Sequence, residues 1–202
     1  FKYFKEFFTG IYFGRVMKNT VIISLSTLVF GFPIPIILAV MINEVKNNKY
    51  KRLVQTVTYL PHFISLVVVC GMIKTFTSNT GILSIFIAQL TGTEAKTMLN
   101  DKNLFVPIYV ISNIWQTAGW DSIIYIAAIT AIEQEQYEAA KIDGAGKMQQ
   151  IWHVTLPGIL PTITIMLILA IGKLLNVGYE KIILLYNSLT KQTAEVISTY
   201  TY

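Results

Sequence analysis

Charged side chains occur in blocks along this chain, and the apolar gaps between the blocks predict its elements. Residues 19–43, 53–73, 103–120 and 148–172 form runs of 25, 21, 18 and 25 without Asp, Glu, Lys or Arg. About 20 mostly apolar residues wound as a helix cross a hydrocarbon layer ~30 Å thick. A backbone in lipid must satisfy its own hydrogen bonds, which favours helices in such runs. The third gap reaches that length if its helix continues past Asp121. The pattern therefore predicts membrane-crossing helices at roughly 20–42, 57–75, 105–131 and 158–178. Pro33 and Pro35 remove backbone donors and predict a kink or break in the first. Residues 75–93 are uncharged but rich in Thr, Ser, Asn and Gly, which predicts a loop with a short helix near 82–90.

Composition agrees with this pattern. Of 202 residues, 53% are apolar and 13% charged, about half the charge of an ordinary soluble domain; the mean hydropathy is +0.56. These values argue against a soluble enzyme and against disorder. One cysteine, Cys70, gives no disulfide framework and no Cys-based zinc site. The net charge of +5 is not gathered into a stripe with interleaved aromatics, so no nucleic-acid partner is expected. The chain starts at Phe1, consistent with processing or with a longer parent, and residues 1–10 show no signal-peptide core. Orientation is not decided by basic residues. Lys46, Lys49, Lys51 and Arg52 follow the first span, but Lys2, Lys5, Arg15 and Lys18 precede it. His62, with no acidic neighbour in sequence, is expected to hydrogen-bond a facing helix rather than relay protons.

The most polar stretch, residues 133–157, lies between the third and fourth predicted spans. Glu133 to Lys141 contains strong helix formers and no Gly or Pro. Gly144 and Gly146 permit a sharp reversal, and a second short helix over 147–153 is expected to end ahead of Leu156-Pro157. From composition, this helix–turn–helix knob reads equally as a docking element or as a loop with a solvated charged face. Its residues resemble a family signature. Glu138-Ala139-Ala140, three residues, Gly144, nine residues and Val154-Thr155-Leu156-Pro157 are similar to the EAA loop of binding-protein-dependent ABC importer permeases. Val154 replaces the usual Ile, and Asp143-Gly144-Ala145 also fits the pattern.

The flanks narrow the resemblance. Asn43-Glu44-Val45, Tyr59 to Ser65, Ile111 to Trp115 and Leu175 to Glu180 look like the Gram-positive, complex-sugar branch of maltose-type permeases. The resemblance implies an all-α integral membrane fold of the MetI-like type I class, lacking the first and last of six usual helices. It implies an external loop at 1–19 and a permease domain at 20–202, with a cytoplasmic coupling loop at 133–157. It also implies a multi-pass protein of the bacterial plasma membrane. Implied partners are a second permease subunit, two ABC ATPase subunits and an extracellular solute-binding lipoprotein, besides membrane lipid.

The chain has no phosphate-binding Gly-x-x-x-x-Gly-Lys-Ser/Thr loop, metal-ligand cluster or Ser/His/Asp grouping. No catalytic role, metal or cofactor is therefore expected; ATP and Mg would sit on the partner ATPase. By the resemblance, Glu138, Ala139, Ala140, Asp143 and Gly144 form the ATPase-coupling surface, anchored by Val154, Leu156 and Pro157. Oligosaccharide sites combine aromatic faces with amides and carboxylates, which nominates Asn113, Trp115, Gln116, Trp120, Asp121, Asn176, Tyr179 and Glu180 for a substrate path. For Trp115 and Trp120, anchoring at the membrane interface is favoured over sugar stacking. Alternative readings are a permease for another small solute, an ion-gradient-driven transporter using Asp121 or Glu180, and a membrane anchor for a soluble enzyme.

Overall fold

The computed structural model describes Phe8 and residues 10–202, and every regular element among them is helical. Lys2 and Lys5, most of the expected 1–10 segment and part of the expected external loop lie outside the described residues. The elements are α1 (Phe13–Glu44), α2 (Asn48–Phe63), α3 (Leu66–Phe76), α4 (Ile82–Thr91), α5 (Phe105–Thr130), α6 (Gln134–Ile142), α7 (Lys147–Gly172), α8 (Tyr179–Leu185), α9 (Lys191–Ala194) and α10 (Ile197–Thr201).

Several predicted boundaries change. The first span begins at Phe13 rather than residue 20, and it does not break at its prolines. A π-helical turn at Thr27–Gly31 precedes Pro33 and Pro35, which fall in the first turn of the α-helical segment that follows. A wider turn there accommodates residues that cannot donate. The predicted second span is two helices, interrupted at Ile64-Ser65. Its first part ends in a 3₁₀ turn at Leu60–Phe63 that contains Pro61, and the Ser65 side chain caps α3 by accepting from the Val68 amide. The fourth starts at Lys147 instead of residue 158 and stops at Gly172, before the expected residue 178. Among the described residues two helices, α1 and α7, are long and apolar enough to cross a membrane; α2 with α3 makes a third if counted as one broken span. The 26 residues of α5 supply sufficient length. Asn113, Gln116, Thr117, Asp121 and Ser122 make it more polar than its neighbours, so it is not counted with them.

The chain divides into two compact units, the first containing residues up to Leu28, Ile64–Asn113 and Lys173–Tyr202, the second Val29–Phe63 and Ile114–Gly172. In the first unit, α8 packs on α3, and Phe105, Val69, Ile182 and Leu185 are buried. A polar lattice joins the start of α1 to the C-terminal segment. Arg15 pairs with Glu195, the Asn19 amide donates to the Gln192 and Glu195 carbonyls at 2.8 and 3.0 Å, and the Ile197 N–H donates to the Thr20 hydroxyl at 3.0 Å.

In the second unit Ala39, Tyr125, Ile129 and Ile159 form a buried cluster, with Ile132 and Leu156 packed against it. Backbones approach closely here. A Cβ on Gly119 would lie 2.0 Å from the Thr58 carbonyl oxygen, so α2 meets α5 only because that position has no side chain. By contrast, Ile165, Ile168, Leu169 and Ile171 of α7 all face outward, as an apolar solvent or a further helix would require.

Candidate functional site

The knob is a helix, a reversal and the first turn of a longer helix. Glu133 is extended ahead of α6; Glu135 in the first turn and Lys141 in the last each complement the helix dipole. The helix ends in a Schellman arrangement around Gly144, whose φ is +82°. The Ala145 N–H donates to the Ala140 carbonyl at 2.8 Å and the Gly144 N–H to the Lys141 carbonyl at 3.1 Å. This conformation, rather than crowding, is why glycine stands there, since a Cβ would meet nothing within 4 Å.

After the reversal, side chains hold the shape. Gln149 reaches back to accept from the Gly146 N–H at 2.7 Å, and buried Gln150 donates to the Ala145 carbonyl at 2.8 Å. Tyr137 and Thr155 share a hydroxyl–hydroxyl bond of 3.0 Å, joining α6 to α7. Lys147 forms an ion pair with Glu44 at 2.9 Å. The expected short helix over 147–153 does not stop before Leu156-Pro157. It passes through a π-helical turn at Ile151–Thr155, in which the Leu156 N–H bonds the Ile151 carbonyl, and continues to Gly172. Pro157, with no N–H to place, follows this wide turn as Pro33 follows the one in α1.

Among the proposed coupling residues, Glu138, Ala139, Asp143 and Gly144 are exposed and Ala140 is half-buried. Leu156 packs against the Ala39 cluster, Val154 is half-buried, and Pro157 is exposed. Three residues that the motif did not nominate are conspicuous. Ile142, Met148 and Trp152 are 86%, 66% and 63% exposed, which is unusual for large apolar groups on the most polar stretch of the chain. Their apolarity within a charged segment was the signal available in the sequence.

The nominated path residues fall into both units. In the first, Asn113 is half-buried and Asn176 and Glu180 are exposed; the Tyr179 ring stacks on Tyr202 at 5.1 Å. In the second, Trp115 and Asp121 are exposed and Gln116 is half-buried. Trp120 carries the His62 imidazole on one face, 4.6 Å away and within 2° of parallel, with Phe63 edge-on at 5.5 Å. His62 is thus an aromatic partner of α5, a role that its sequence neighbours do not reveal. Thr117 stands one helical turn before Asp121 on α5. Among the described residues no group of three or more His, Cys, Asp or Glu is placed to hold a metal.

Residues 31–195, including the whole knob, match the family described as "Binding-protein-dependent transport system inner membrane component". The chain belongs to this family. Within it, the chain is 44% identical to Protein LplB of Bacillus subtilis (strain 168), and 42% identical to that organism's polygalacturonan/rhamnogalacturonan transport system permease protein YteP. Both alignments cover 100% of this chain, but 64% and 63% of the relatives, so it spans just under two-thirds of their length. Among solved structures it resembles a chain of a bacterial ABC transporter importing the acidic polysaccharide alginate. The TM-score is 0.95 and the identity 47%, over 100% of this chain and 71% of the other. The bacterial alginate transporter in complex with an alginate pentasaccharide-bound periplasmic protein gives the same score and identity, with 70% of that chain covered. An all-helical, MetI-like permease fold is established by these matches.

Proposed function

We propose that this chain is the membrane-spanning permease subunit of an ATP-driven importer of oligosaccharides in the bacterial plasma membrane. The observation that carries the reading is the knob. Its Gly144 reversal is fixed by local hydrogen bonds while Glu138, Ala139, Ile142, Met148 and Trp152 remain exposed. A rigid projection with a carboxylate, a small-residue patch and bare apolar groups suits insertion into a groove on a soluble partner, here one of two ABC ATPase subunits. ATP and Mg bind to that partner. Closure of the ATPases moves the knob, and the knob rocks the helices that carry it between two packings. A second permease subunit completes the path, and an extracellular solute-binding lipoprotein delivers cargo. The chain itself performs no catalysis.

Saccharide cargo is supported by the names of YteP, a polygalacturonan/rhamnogalacturonan permease, and of the transporter that imports the acidic polysaccharide alginate. Trp120, presented by α5 with Asp121 beside it, offers the aromatic-plus-carboxylate chemistry that sugars engage. Asn113, Trp115, Gln116, Asn176, Tyr179 and Glu180 are the further candidates for this path.

The test is purification of the native-length chain from its own membrane, followed by uptake in proteoliposomes. Copurification of an ATPase, with uptake that requires internal ATP and survives a protonophore, is expected. Uptake by the chain alone, or abolished by the protonophore with ATP present, would overturn the proposal in favour of an ion-driven transporter.

A further inference from the structure

We infer that Glu44 and Lys147 are a positioning pair that ties the end of α1 to the knob, so that α1 follows when the knob is displaced. This inference rests on the knob being the coupling element. Glu44 is the last residue of α1 and Lys147 the first of α7, and their side chains meet at 2.9 Å.

Both charges occupy the unfavourable end of their own helix. A carboxylate adds to the negative C-terminal end of α1, and an ammonium adds to the positive N-terminal end of α7. Local helix stability therefore accounts for neither residue. In the ion pair the signs become complementary: the carboxylate carried at the negative end of α1 meets the ammonium carried at the positive end of α7. The position in the fold gives this contact its consequence. The knob is covalently continuous with α5 on one side and α7 on the other. Among the described residues, its remaining side-chain hydrogen bonds stay within residues 133–155, and the Glu44 pair is its polar tie to α1. Glu44 and Lys147 retain 28% and 64% side-chain exposure, which leaves the tie open to water and reversible.

The experiment uses the native-length chain with its partner permease and ATPases in proteoliposomes. A radiolabelled pool of uronic-acid and neutral oligosaccharides is the transport probe, and uptake is measured per ATP hydrolysed. Glu44→Lys and Lys147→Glu are each expected to lower that ratio by about fivefold or more, and the double charge swap to restore it. Each reversal moves a charge to the favoured end of its helix, so a purely local role predicts neutral or stabilised single variants. Full coupling in both single variants, or failure of the swap to rescue, overturns the inference. If a reversal impairs assembly, Glu44→Gln and Lys147→Gln take its place, with loss of coupling in both expected and full coupling overturning the inference. Gly144→Val in the same assay separates the two levels. If it uncouples while both reversals do not, the tie alone fails; if it also leaves coupling intact, the coupling role of the knob fails with it.

Discussion

The knob at residues 133–155 and the C-terminal segment at 187–201 are both polar, yet their internal ties differ in reach. Within the knob, the Tyr137–Thr155 bond joins positions only 18 apart in sequence. The C-terminal segment is held by bonds between positions 173 to 180 apart, from Arg15, Asn19 and Thr20 to residues 192–197. Local bonds give a small element its own shape and leave its outer surface free for another protein. Long-range bonds immobilise a segment against its own chain. Polar content alone does not mark a docking surface: among the described residues the knob's side-chain bonds are local apart from the single Lys147–Glu44 tie, whereas the C-terminal segment is bonded to Arg15, Asn19 and Thr20 together.

The sharpest way to break this comparison is Gly144→Val. A β-branched residue at φ +82° is strained, so the reversal reorganises and its presented groups shift. Coupled uptake by the assembled transporter is expected to fall on the order of a hundredfold, while its melting temperature in detergent changes little. A melting loss as large as that of the next variant would erase the contrast. Asn19→Leu attacks the C-terminal segment. It removes the donor to two carbonyls in a buried setting, and about 2 kcal/mol of stability should be lost, read as a lowered melting temperature and faster proteolysis after residue 187. Uptake per folded transporter should be unchanged. The smallest effect belongs to Tyr137→Phe, which deletes one hydroxyl bond at the base of the knob. A cost of about 1 kcal/mol, with a partial loss of coupling, would show that this local bond stiffens the projection.

The knob was readable because its instructions are contiguous. Helix formers through Lys141, then Gly144, specify a helix and a left-handed stop with no distant information, and the structure supplies both. The helix end expected ahead of Leu156-Pro157 is absent because the π-helical turn at Ile151–Thr155 absorbs the proline's missing donor. At Pro33 and Pro35 no break occurs either, and a π-helical turn at Thr27–Gly31 precedes them. The interruption at Ile64-Ser65 was hidden for the opposite reason: apolar residues on both sides keep the hydropathy continuous, and a single Ser65 cap marks the new start. Contacts that depend on chain reversal were beyond any local pattern. The Asn19 bonds, the stacking of His62 on Trp120 and the approach of Thr58 to Gly119 each require two segments to be brought together first.

The π-helical turn in α7 has a consequence for how side chains are aimed. Each α-helical residue advances the azimuth by roughly 100°, and the wide turn inserts one residue beyond the regular count. Residues before Ile151 and after Thr155 are consequently out of phase by about a quarter revolution. A helical wheel drawn straight through the junction mispairs the two halves. The turn works as a dial: it sets the angular heading of the knob independently of which stripe of α7 faces its neighbours.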